Sequence, residues 1–244
     1  AGRDTIMSNH SQYFNPGGVG SGRNPLVAPG SYEDSPISKE MFEAAEMAGI
    51  DFVVTNVIAP DKSIGFCYAG DLHKSHEAAV AKCREFDGVT VDELSDMTIT
   101  CAMGFPKDMN LYQTGSKPIN NGIGTVKDDG NGVFIVVSEC REGWGSADTE
   151  RMATEFDNAY DREVYTREHY TIGLNVAYFI FQYAEDYHFI LVSSMEPELF
   201  KNTKIHAVKT VEEAIELGKK LSGKEHPRAY IMPYGANTCA TLKK

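Results

Sequence analysis

The sequence predicts an α/β protein of two lobes, with a C-terminal lobe built as a mostly parallel sheet covered by helices. Three observations predict it. From Met97 onward, short runs of consecutive apolar residues alternate with segments of helical periodicity. Uninterrupted apolar strands separated by helices imply a parallel sheet buried on both faces. Before that point the order is different: helix, hairpin, helix. The 244 residues, 42% of them hydrophobic, are also enough for one large domain or two small ones. The division falls near residues 90–96. Residues 1–96 are expected to be the later part of a first lobe, 97–235 a C-terminal α/β domain and 236–244 a tail.

The elements follow in order. Residues 1–36 are rich in Gly, Pro, Asn and Ser, and Gly17-Gly18-Val19-Gly20-Ser21-Gly22 cannot form a regular element. This stretch is expected to be a disordered end or a loop held by something else. Ser35-Pro36 reads as a helix start, Met41, Phe42, Ala44, Ala45 and Met47 as its apolar stripe, and Gly49 as its stop. Strands over 52–58 and 63–69, joined by a Pro60-Asp61-Lys62 turn, form a hairpin. A helix over 73–86 carries Ala78, Ala79, Val80 and Cys83 on its apolar face. Strands are predicted over 97–102, 133–137, 189–192 and 229–232. Helices are predicted over 148–160, 172–184 and 196–200. A further helix opens on a Thr210/Glu213 capping box and ends at Gly223. A loop with a short helix fills 104–122.

Composition narrows the function. The net charge of −12 argues against general nucleic-acid binding, which rests on neutralising phosphates. No apolar run reaches the length of a membrane span. Five cysteines, Cys67, Cys83, Cys101, Cys140 and Cys239, have irregular spacing and no CxxC pair. Three of them fall in apolar patterns, so they read as reduced, buried thiols of a cytoplasmic protein. The chain begins Ala1-Gly2-Arg3-Asp4 without Met, which reads like the middle of a protein.

In open parallel sheets, ligands bind beyond the carboxyl ends of the strands. Gly143-Trp144-Gly145 follows one such end and precedes a helix, so its N–H groups could cradle an anion, or the glycines could simply form a turn. Gln113, Ser116 and Lys117 place an amide, a hydroxyl and an ammonium in one segment. That group suits a carboxylate, or else is a solvated loop. His73 and His76 share a helical face and could chelate a metal, although Asp71 beside them reads first as an N-cap. Nucleophile-elbow, P-loop and dinucleotide fingerprints are missing from the sequence.

Taken in order, several segments resemble the nickel-dependent lactate racemase family. They are Asp4-Thr5-Ile6, Asn9-His10-Ser11, Arg23-Asn24-Pro25, Ala48-Gly49-Ile50-Asp51-Phe52 and Ala69-Gly70-Asp71 with His76. Then come Gly104-Phe105-Pro106-Lys107-Asp108, Tyr112-Gln113 with Lys117, Glu139-Cys140-Arg141-Glu142-Gly143, Glu212-Glu213-Ala214 and Ile231-Met232-Pro233-Tyr234-Gly235. The resemblance covers nearly the whole chain. It implies two α/β lobes with the active site between them, and a racemase or epimerase of a small 2-hydroxy acid. Hydride would leave and return on a pyridinium thioacid cofactor that forms a pincer around nickel. It also implies that an earlier segment of the first lobe completes the site.

By this resemblance His10 is a catalytic residue, and Gln113 and Lys117 hold the substrate, one residue further apart than in the family. Tyr170 stands where the family has an aromatic residue over the cofactor, and Gly143 and Gly145 lie at the cofactor side. The cofactor-tethering lysine falls at Ser11 and the nickel-binding histidine at Leu26-Val27. Serine cannot form the tether and valine cannot donate to nickel, so the cofactor would be held non-covalently, be different or be absent. The alternative is a divergent homologue that binds a small carboxylate as a regulatory module.

Overall fold

The structure, a computed structural model, describes residues 3–59 and 61–243. Ala1, Gly2, Lys244 and Pro60, the first residue of the expected turn, lie outside the described residues. Helix α1 (Arg3–Ser11) comes first. Helix α2 (Pro36–Met47) starts where Pro36 occupies the first turn, and Gly49, at φ 68°, ends it. Strands β1 (Val53–Ile58) and β2 (Ile64–Gly70) form the antiparallel hairpin. Asp71 caps α3 (Leu72–Asp87) by accepting from the Lys74 N–H at 3.0 Å. The short strand β3 (Gly88–Val91) follows.

The second region starts at β4 (Met97–Cys101). Helices α4 (Leu111–Thr114) and α5 (Asn120–Gly122) are joined by a π-helical turn, Gly115–Ile119. Next come β5 (Val133–Val137), α6 (Ala147–Thr154), α7 (Ala159–Glu168), α8 (Leu174–Asp186) and β6 (His188–Val192). The chain then forms β7 (His206–Val208), α9 (Val211–Ser222), β8 (Ala229–Met232) and β9 (Cys239–Leu242). The Thr210/Glu213 capping box is formed, and Gly223 ends α9 at φ 66°.

Strand order in the main sheet is β7-β6-β5-β4-β8, with every neighbour parallel. Alternation along β5 sends Phe134 and Val136 to one face and Val133 and Ile135 to the other. Phe134 and Val136 enter an aromatic core with Tyr178, Phe181 and Phe189 beneath α8. Met97, Val133, Ile135 and Ile190 pack against Ala214 of α9. Connections from β4 lead to β5 on one side, while β8 on the other side is reached from the far edge through α9. The strand order therefore reverses between β4 and β8, and the crevice beyond their carboxyl ends is where such sheets take ligands.

Several expectations change. Residues 3–11 of the Gly-rich start are helical; their polar composition gave no apolar stripe to read. The helix expected over 148–160 is two helices, broken between Thr154 and Ala159, because Asn158 caps a new one by accepting from Asp161 N–H at 2.9 Å. The stretch expected to be a tail holds β9, which pairs in parallel with β3 from Gly88↔Cys239 to Val91↔Leu242. Only Cys140 of the five free thiols is buried; Cys67 and Cys83 are exposed. The α2 stripe is also uncovered, with Met47 89% exposed.

Candidate active site

The Gly-rich stretch is held against the second region by two arginines and a phenylalanine. Phe14 is buried among Tyr178, Phe179 and the edge of Tyr170. The Arg167 guanidinium lies 4.8 Å from the centre of the Phe14 ring. It also donates to the Asn15 carbonyl at 3.1 Å and to Ser21 Oγ at 3.2 Å. Arg23 donates from Nε to the Val27 carbonyl at 2.9 Å and from Nη1 to the Tyr183 hydroxyl. A loop that has no apolar face of its own is thus fixed by cations from either side of the contact.

The expected carboxylate group is brought together. Asn110 caps α4 by accepting from the Gln113 N–H at 2.9 Å. Pro118 cannot donate to the Thr114 carbonyl, and its ring would strike that carbonyl in an α-turn. The chain widens there into the π-turn. With the wider turn, Lys117 Nζ donates to Gln113 Oε1 and, at 3.2 Å, to Ser116 Oγ. Burial, and then the nearby Lys107 ammonium, push the Lys117 pKa down. A partly desolvated ammonium attracts a carboxylate more strongly than one in water.

Ser116 leads into a small cavity of about 100 Å³, also lined by Tyr13, Arg23, Asn120 and Asn175. Asn175 Oδ1 accepts from the Tyr170 hydroxyl at 3.1 Å. Burial pushes the Tyr170 pKa well up, and Tyr13 and Tyr112 add to it, so the phenol stays neutral and can donate. Tyr170 also lines a neighbouring cavity of about 430 Å³ with Ser11, Asn24 and Arg167. His10 stacks obliquely on Tyr13 with ring centres 5.8 Å apart. Its Nδ1 is buried and has no hydrogen-bond partner. Gln113, Lys117, Tyr170 and His10 do not line the small cavity themselves; they contact residues that do, Ser116, Asn175 and Tyr13.

Other expected positions serve different ends. Gly143 already donates its N–H to the Cys140 carbonyl at 2.8 Å, which leaves that hydrogen unavailable to an anion. A Cβ on Gly145 would collide with Asn110, so this glycine, at φ 79°, lets the turn approach the α4 cap. The same turn holds α4 by accepting from Leu111 N–H on the Gly143 carbonyl at 2.9 Å. Ser11 donates to the Ser8 carbonyl at 2.6 Å and faces solvent, while Val27 is buried. His73 stacks on Phe42 and bonds Glu46 at 2.7 Å; His76 packs on Tyr32 and Phe42. Among the described residues no three of His, Cys, Asp and Glu group as a metal cluster. Reading the sequence missed Tyr13, Arg23 and Asn175 as cavity residues. An arginine inside a Gly-rich stretch was the one available signal.

Comparison with known proteins identifies relatives of this chain. Residues 90–239 match the lactate racemase C-terminal domain family. The chain is 28% identical over 236 residues to the lactate racemase of Lactiplantibacillus plantarum, covering 95% of this chain and 53% of that protein. It is 30% identical over 156 residues to the lactate racemase of Thermoanaerobacterium thermosaccharolyticum, covering 64% of this chain and 34% of that one. The lactate racemase apoprotein structure from the latter organism superposes with a TM-score of 0.83 at 24% identity, over 98% of this chain and 55% of that one. A Thermotoga maritima protein shares the fold more distantly, with a TM-score of 0.56 at 14% identity over 86% of this chain and 54% of that one. The chain spans about half the length, or less, of the curated relatives it matches. With its family match covering most of the chain, the chain belongs to the lactate racemase family.

Proposed function

We propose that this chain binds the carboxylate of a small 2-hydroxy acid for a racemase or epimerase, with residues 1–96 and 97–235 as two lobes. The carrying observation is Lys117: a partly buried ammonium aligned by Gln113 and by Ser116, the latter lining a cavity of about 100 Å³. In this reading Lys117 takes the carboxylate and Gln113 orients it. The neutral Tyr170 phenol orients the substrate, and His10 Nδ1 is free to hold a proton of the substrate hydroxyl. Inversion breaks the C2–H bond as hydride, which none of these side chains can accept, so an acceptor bound beside them would have to take it and return it to the opposite face.

The nickel-pincer cofactor implied by the family resemblance meets a poor donor set at the two positions assigned to it. The Ser11 hydroxyl is engaged with Ser8, and Val27 has no donor atom in its side chain. These residues do not fit a tether or a nickel ligand. His10 offers the one buried, unpartnered ring nitrogen among the described residues. The same mismatch favours, as a second reading, a homologue that binds a carboxylate without inverting it. The free thiols support a reducing, cytoplasmic setting, and no described helix is long and apolar enough to cross a membrane.

The test is optical. The native protein is incubated with one enantiomer of 2-hydroxypropanoate, and formation of the other is followed by chiral chromatography. Racemisation that falls at least about a hundredfold in Lys117→Ala supports the enzyme reading. Binding that depends on Lys117 without racemisation selects the binding module. Racemisation indifferent to Lys117→Ala removes the proposal.

A further inference from the structure

The wall of the small cavity carries a second cation that the reading above does not use. Arg23 makes no ion pair among the described residues, although it is only half exposed. Its Nε is fixed on the Val27 carbonyl at 2.9 Å, its Nη1 on the Tyr183 hydroxyl, and its plane lies 5.5 Å from the centre of the Phe179 ring. These contacts set the orientation of the guanidinium but engage only two of its five donors. Nη2 has no hydrogen-bond partner among the described residues. Both Nη2 hydrogens and one on Nη1 remain, and the Nη1/Nη2 pair can make two parallel bonds to a carboxylate when Tyr183 takes the Nη1 hydrogen that faces away from Nη2.

The space around it continues. A cavity of about 410 Å³ shares Arg23, Asn120 and Tyr183 with the small one and runs on past Asn121 toward Thr241. Arg23 thus lines both cavities, and Ser116, which accepts from Lys117, lines the smaller one with it. Resting on the carboxylate reading of Lys117, we propose that the substrate is a 2-hydroxy acid bearing a second carboxylate, with Lys117 taking one carboxylate and Arg23 the other. Arg23 is then a specificity-determining residue. A monocarboxylate leaves its free donors unpaired in a confined space, and a site built around such donors discriminates against ligands that do not meet them.

Calorimetric titration of the native protein with 2-hydroxybutanedioate and with 2-hydroxypropanoate tests this. The expected result is a preference of about tenfold or more for the dicarboxylate. Arg23→Met brings the two affinities together, Arg23→Lys restores part of the preference, and Lys117→Met weakens both acids. If Arg23→Met does not fold, Tyr183→Phe frees the guanidinium from its anchor and is expected to shrink the preference. Equal affinities in the unmodified protein overturn the assignment of Arg23 while the Lys117 reading stands. So does an Arg23→Met change that lowers both acids and keeps their ratio. Binding of neither acid, or binding indifferent to Lys117→Met, overturns both.

Discussion

The two regions of this chain use similar residues to different ends. In the second region Phe134, Ile135, Phe189 and Ile190 are fully buried between helices on both faces of the sheet. In the first, the hairpin is covered by α3 on one face only, and Val54, Ile58 and Ile64 stand exposed on the other. The β1 and β4 strands are equally apolar in sequence; what separates them is how many layers the chain supplies. The Gly-rich stretch crosses this divide. It belongs to the first region in sequence, yet Phe14 lies in the second region's core.

The strongest way to break this contrast is Arg162→Met. Arg162 is fully buried and donates to the carbonyls of Met152 at 2.8 Å, Phe156 at 2.7 Å and Asn202 at 3.0 Å. It also pairs with Glu185 at 3.2 Å. Removing it strands these acceptors and should destabilise the second region by about 3–5 kcal/mol in denaturant unfolding. Hydrogen exchange in β1 and β2 should barely change.

Phe14→Ala comes next, with an expected loss of about 3 kcal/mol. If the Gly-rich stretch belongs physically to the second region, this variant opens residues 15–22 to proteolysis. Unaltered cleavage would mean that Arg167 and Arg23 hold the loop unaided.

Asp96 sharpens the contrast through pH. Two lysines at 2.6 Å, Lys127 and Lys224, hold its carboxylate well below the usual range, helped by the Arg228 N–H at 3.0 Å. A depressed folded-state pKa adds stability that is present above the unfolded value of about 4 and is lost as pH falls below it. Asp96→Asn should cost about 2 kcal/mol at neutral pH. Its acid unfolding curve should be shallower than that of the unmodified protein. The smallest effect is Val54→Thr on the uncovered hairpin face, within about 0.5 kcal/mol. A larger loss would show that this face is packed in solution.

Much of the second region was legible because its strands are uninterrupted apolar runs and its helices carry caps at Thr210 and Gly223. β3, β7 and β9 were not, since three or four residues are too few to display a period and theirs include Gly, Thr or His, whereas the equally short β8 is an unbroken apolar run. α7 was missed for a different reason: its buried face is Arg162, Glu163 and Thr166, which read as solvent-facing until their partners are known. At the site, Gln113 and Lys117 announced themselves by type and spacing. Arg23, Tyr13 and Asn175 did not, because Asn175 joins the other two from more than a hundred residues further along the chain, and nothing local marks such an encounter.

The π-turn at Gly115–Ile119 has a consequence for how this family can change length. Gln113 and Lys117 are one residue further apart here than the family resemblance implies, yet their polar ends still touch. An insertion in an α-helix would normally rotate everything after it by about 100°. A single wide turn, packed at Gly115 against Ile180 of α8, takes up the added residue locally, so the chain beyond it keeps its direction. Deleting Ser116 together with Pro118→Ala should therefore yield an ordinary α-turn and a folded protein, whereas deleting Ser116 alone leaves the proline against the Gln113 carbonyl.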